Sequence, residues 1–186
     1  MRTRPERLHR AAFTRRSDRY GILHRMTAVR ERVYIEAPYV QAVAAFEHRL
    51  GLEAGQSEGT CVLALVAPLA EGREVARDVT AATKRVPGTA NFTSQYLIAW
   101  TAGRTSRGIP TPGFDGTITL RAGEDYDECE LELDGRYEPP GGVAGKLFDD
   151  VVGRRIAHAT LGSLLDGVRQ ELRAAHERME SGKHGT

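Results

Sequence analysis

The chain is predicted to be an α+β domain in which a curved antiparallel β-sheet of six to seven strands wraps around a long C-terminal α-helix. Three observations predict it. Segments with two-residue apolar alternation follow one another through the middle of the 186-residue chain, with only turns between them. One segment of helical period, Ala144 to Glu180, closes the chain. Each alternating strand is apolar on one side and polar on the other, so one sheet face needs a cover, and only the final segment is long enough to supply it.

Taken in order, Glu31 to Ala37 is the first strand, with Val33 and Ile35 on one side and Tyr34 and Glu36 on the other. Pro38 stops it and opens a short helix over Tyr39 to Leu50, whose apolar positions are Val40, Val43, Ala44, Phe46 and Leu50 and which Gly51 ends. Leu52 to Gly59 is loop. Cys61 to Ala67 is a compact apolar strand, and Arg73 to Val86 a long mixed one ended by Pro87-Gly88. Asn91 to Ala102 alternates, with Phe92, Ser94, Tyr96, Ile98 and Trp100 on one face. Gly103 to Gly113, with Pro110 and Pro112, reads as loop. Phe114 to Arg121 places Phe114, Ile118 and Leu120 inward. Glu128 to Tyr137 is the sharpest pattern: Cys129, Leu131, Leu133 and Tyr137 inward, Glu128, Glu130, Glu132 and Asp134 outward.

In the final helix, Leu147, Val151, Leu161, Leu165, Val168 and Leu172 form one stripe, with Ile156 and Leu164 beside it. Gly145, Gly153, Arg154 and His158 interrupt its first half. That half is expected to be the looser end, bordering the mouth of an internal cavity, with Leu161 to Leu172 as the packed anchor.

Residues 1–29 carry eight arginines against two acids, a net +6, which leaves −5 for the rest. They read as a basic, disordered N-terminal extension without the apolar core of a secretory signal. A solvated charge run is the economical reading; an alternative is that translation starts at Met26. Residues 181–186 read as a flexible tail. A hydrophobic fraction of 40% and a charged fraction of 27% are those of a soluble globular protein, and no apolar run approaches membrane-spanning length. Cys61 and Cys129 fit no zinc or redox spacing and suit buried thiols in a reducing, cytoplasmic setting. The excess of arginine over its three lysines suggests a GC-rich bacterial genome. No dinucleotide, P-loop, nucleophile-elbow or zinc-protease motif is present, so no cofactor, metal or nucleic-acid partner is expected.

Two stretches carry a family resemblance. Val33-Tyr34-Ile35-Glu36-Ala37-Pro38, followed by Val43 and Phe46, resembles the opening of START-like (SRPBCC) proteins. The run from Leu133 to Gly142, then Gly145-Lys146, Asp149 and Ala157 to Leu165, resembles the last strand and final helix of their polyketide cyclase/dehydrase and lipid-transport branch. The match spans Arg30 to Arg178, so residues 30–180 form the expected START-like ligand-binding domain. The resemblance implies a helix-grip fold with a cavity between sheet and final helix. It also implies seven strands where six are counted.

Phe92, Tyr96, Trp100, Phe114, Leu131, Leu133, Tyr137 and Leu161 are the candidate ligand-binding residues: they either line a cavity, with Tyr and Trp tips orienting the ligand, or simply fill the core. Arg77, His158 and Tyr96 are the candidate catalytic residues. Arg77 keeps register with Val75, Val79 and Ala81, and a buried guanidinium would need acceptors; a strand twist would expose it instead. His158 shares the column of Leu161 and Leu165, where a pocket histidine would serve as general acid or base, but shows no acid partner in the sequence. The acidic row Glu128, Glu130, Glu132 and Asp134 reads as a solvated outer face paired with Arg121, not a metal site. The leading expectation is binding or transport of a small hydrophobic molecule such as a lipid, quinone or polyketide. A polyketide cyclase/dehydratase-type enzyme using the same cavity is the alternative, and a protein-interaction module with a filled core the second. No membrane insertion is expected; a homodimer is allowed.

Overall fold

The computed structural model describes residues 26–68, 74–104, 110–139 and 150–183. Its elements run β1 (Thr27–Ile35), α1 (Tyr39–Arg49), β2 (Glu58–Pro68), β3 (Glu74–Val86), β4 (Thr93–Trp100), β5 (Gly103–Arg104), β6 (Pro110–Thr111), β7 (Gly113–Ala122), β8 (Cys129–Glu138) and α2 (Asp150–Lys183). Six strands form one antiparallel sheet in the order β1-β8-β7-β4-β3-β2. The α2 helix packs against both edge strands, β1 and β2. One helix can reach both edges of a six-stranded sheet only if the sheet curls around it, so the α+β, helix-gripping architecture holds.

Local chemistry explains most boundaries. Pro38 (φ −59°) presets the entry to α1, and its carbonyl accepts from the N–H groups of Gln41 and Ala42. The helix closes where Gly51 takes φ +69°, donating its N–H to the His48 carbonyl while Leu52 donates to that of Glu47. A Cβ on Gly51 would also run into the Thr60 backbone carbonyl, so glycine is required there twice over.

The structure departs from the sequence reading in several places. Glu58 and Gly59, read as loop, are paired to Lys84 and Thr83 and open β2. Thr27 to Val29, counted with the basic arm, are paired to Tyr137, Arg136 and Gly135 and open β1. Segment 103–113 is not all loop, since β5 and β6 pair as a small hairpin. Phe92 is not on the inner face of β4: it precedes the strand at φ +55°, 61% exposed, with its ring edge-on to Tyr39. The left-handed turn takes it out of the strand's alternation. And α2 continues through Lys183, past the expected Glu180. The arm up to residue 25, the helix start at 144–149 and residues 184–186 lie outside the described residues.

On the convex face, the acidic row of β8 meets arginines from both neighbouring strands. Glu132 takes both Arg30 Nη2 contacts, at 2.9 and 2.8 Å, with Arg32 Nη2 at 3.2 Å and Arg121 Nη2 at 3.6 Å. Glu130 pairs with Arg32 at 3.3 Å. The pairing with Arg121 is as expected, but Glu132 is buried beneath its arginines, not solvated. Burial raises its pKa, and the hydrogen bond and charge of Arg30, with Arg121 and Arg32, outweigh that and hold it below the ordinary carboxylate value. A depressed folded-state pKa stabilises above the unfolded value and is lost as pH falls through the folded one. The gap in urea midpoint between the native chain and Glu132→Gln is therefore expected to be present at about pH 7 and to close below about pH 4.

Candidate functional site

Strand register builds the concave wall under α2. Trp100 lies directly opposite Phe114, and Phe114 opposite Tyr137, so three aromatic side chains cross β4, β7 and β8 in one row. All three are buried. The rings of Trp100 and Phe114 stack at 4.8 Å with 24° between planes. In the next row inward, Gly116 is paired with Gly135. A Cβ on either would sit 2.7 or 2.5 Å from Phe114 Cζ, so the missing side chains are what let that ring fold back flat along the sheet. Beyond them Ile118 and Leu133, then Leu120 and Leu131, continue the wall in apolar side chains.

From the other side, α2 presents Gly153, Ala157, Thr160, Leu161, Leu164, Leu165, Val168 and Leu172, all buried, while Arg154, Arg155 and His158 are exposed. The C-terminal half is tied to α1, through Arg49 to Glu171 at 2.7 Å and His176 to Gln41 at 2.7 Å. Tyr137 and its neighbours therefore meet the N-terminal half of α2, away from α1.

Trp100 Nε1 and Thr160 Oγ1 are buried in this region without a geometrically complete hydrogen bond among the described residues. Thr160 is fully buried and Trp100 is 5% exposed. The Tyr137 hydroxyl lies beside Thr160. Burial raises the Tyr137 pKa, and the nearby Thr160 hydroxyl and Arg77 charge draw it partly back. The Thr160 hydroxyl is thus loosely engaged by Tyr137. Arg77 is half-buried on β3 opposite Leu65, in the same alternation as buried Val79 and Ala81. Trp100, Phe114, Tyr137, Thr160 and Arg77 thus gather at one end of the concave face.

Of the sequence candidates, Leu131, Leu133 and Leu161 are fully buried in the core. Tyr96 is buried at the opposite end, under α1: its ring meets Phe46 edge-on at 5.4 Å and its hydroxyl donates to Glu47 Oε1 at 2.9 Å. Burial raises its pKa, and Arg85 in turn pairs with Glu47. His158 sits at the flank of α2, with Nδ1 2.5 Å from Glu31 Oε1. Glu31 is the acid partner missed in the sequence; it follows the phase of Val29 and Val33, which points it at the helix. Arg77, His158 and Tyr96 therefore occupy three separate places. Sequence reasoning also missed Thr160, although it shares an i, i+4 column with Leu164, Val168 and Leu172. No group of three or more His, Cys, Asp or Glu able to hold a metal occurs among the described residues.

No protein-family model matches the chain, and no curated protein matches it. Among solved structures, the Zhui aromatase/cyclase from Streptomyces sp. R1128 aligns with a TM-score of 0.52 at 18% identity, covering 87% of this chain and 99% of that one. A protein from Thermus thermophilus gives 0.49 at 15% identity over 80% and 99% of the two chains. The human StarD13 lipid transfer and protein localization domain gives 0.46 at 10% identity over 81% and 77%. The chain has the START/SRPBCC-like helix-grip fold. No helix among the described residues is long and apolar enough to cross a membrane.

Proposed function

We propose that the protein binds a small hydrophobic molecule, lipid-, quinone- or polyketide-like, between the concave sheet face and the first half of α2. The observation that carries this reading is Trp100 Nε1, buried with no hydrogen-bond partner among the described residues, with the Thr160 hydroxyl buried beside Tyr137. A filled core would leave the indole N–H unsatisfied, at about 1–3 kcal/mol, and native interiors rarely tolerate that. A bound molecule with its own polar group removes the cost. The aromatic row of Trp100, Phe114 and Tyr137 supplies a flat apolar surface against which it can be buried, at about 25 cal/mol per Å². The fold shared with an aromatase/cyclase fits the same use. The free, buried cysteines Cys61 and Cys129 suit a reducing, cytoplasmic setting.

Arg77 acting on the buried Tyr137 favours a second reading, a cyclase or dehydratase-type activity in which the cation stabilises an enolate oxygen and the phenol moves a proton. Both readings share the ligand site. Native mass spectrometry of protein purified from its own host tests it. A co-purifying small apolar molecule is expected; an empty protein that also takes up nothing from a host lipid extract would contradict the proposal.

A further inference from the structure

We infer that Trp100, with Thr160 and Tyr137 as a second polar contact, makes this site selective for ligands that carry an sp² oxygen acceptor, a ketone or a carboxylate, over hydrocarbons of the same shape; the inference rests on the hydrophobic-ligand reading above. The indole N–H can only donate. Stacking on Phe114 needs the ring and not the nitrogen, so the donor is unused by the packing that holds Trp100 in place. A hydrocarbon ligand leaves it unpaired, and an acceptor oxygen satisfies it.

Thr160 makes the same point from the helix. It stands in the apolar column of Leu164, Val168 and Leu172, where a hydroxyl gains nothing from packing and a β-branched side chain lowers helix propensity. Buried helical Thr usually returns its hydroxyl to the carbonyl one turn back. Thr160 Oγ1 does not; it lies beside the Tyr137 hydroxyl instead. The Trp100 and Tyr137 strands are two spacings apart, about 10 Å at 4.8 Å per strand, with Phe114 between them. This geometry suits a ligand with an apolar middle over Phe114 and an oxygen at the Trp100 end. A second polar contact is then available beside Thr160 and Tyr137. A site that hydrogen-bonds its ligand discriminates more sharply against the analogue lacking that group than an apolar pocket discriminates by shape.

Calorimetric titration with acetylnaphthalene, ethylnaphthalene and naphthoate separates the possibilities, because the three share one ring system. Acetylnaphthalene is expected to bind about tenfold tighter than ethylnaphthalene. Trp100→Phe keeps the stack and is expected to cut that ratio to within about threefold. Thr160→Val keeps the shape and, lying at the far end from the single ketone, is expected to leave the ratio near tenfold; both variants are expected to keep thermal midpoints equal to or above that of the native chain. Naphthoate tighter than acetylnaphthalene would assign an anionic oxygen to the natural ligand, and the reverse order a neutral carbonyl; both support the anchor. Equal binding of acetylnaphthalene and ethylnaphthalene to the native chain would overturn the acceptor selectivity and leave the hydrophobic-ligand reading standing. Binding of none of the three would overturn both.

Discussion

Replacing Leu165 by alanine is expected to lower the unfolding free energy by about 2–5 kcal/mol, read from urea denaturation. Leu165 is fully buried in the middle of the α2 stripe, with Leu161 also fully buried one turn before it and Val168 and Leu172 buried after it. Removing its branched end leaves a void between helix and sheet that neither can close alone, because α2 is held to both sheet edges and to α1 at its C-terminal half. A near-neutral result would mean that the grip of the sheet on α2 does not depend on this stripe.

Gly116→Val is expected to cost about 3 kcal/mol, at the upper end of the usual overpacking range, and to change the site as well as the stability. The new Cβ would run into the Asp134 carbonyl and the Phe114 ring together. Backbone of the paired strand cannot yield, so Phe114 must, and Trp100 stacked on it would follow. Trp100 is the chain's single tryptophan, so its fluorescence reports that displacement without interference. A stable variant with an unaltered emission spectrum would show that the aromatic floor does not depend on the glycine pair.

The fold was legible where one periodicity governed a whole segment. Alternation over Cys129 to Tyr137 assigned every inward residue of β8 correctly, and the i, i+4 stripe found the cover. It failed where a backbone turn broke the count: Phe92 continues the pattern of β4 in sequence, but its left-handed conformation lifts it out of the strand. The site was less legible than the fold. The row of Trp100, Phe114 and Tyr137 was visible as inward aromatics, but its continuity depends on register between strands far apart in the chain. Thr160 was hidden because a hydroxyl on an apolar stripe reads as an interruption, and only its place beside Tyr137 gives it meaning. His158 and Tyr96 suggested chemistry by residue type; each has an acid partner, Glu31 and Glu47, that draws it away from the aromatic end. Glu132 looked like surface because acids in alternation usually are; three arginines from the flanking strands bury it.

On the proposed reading, Trp100 Nε1–H, which has no hydrogen-bond partner among the described residues, donates to a ligand held between sheet and helix. With one tryptophan, the chain gives one indole N–H resonance in a nitrogen–proton correlation spectrum. Titration with acetylnaphthalene is predicted to move that resonance downfield and to saturate, as Nε1–H acquires a carbonyl acceptor. An indole resonance that stays fixed while the ligand demonstrably binds would contradict the account.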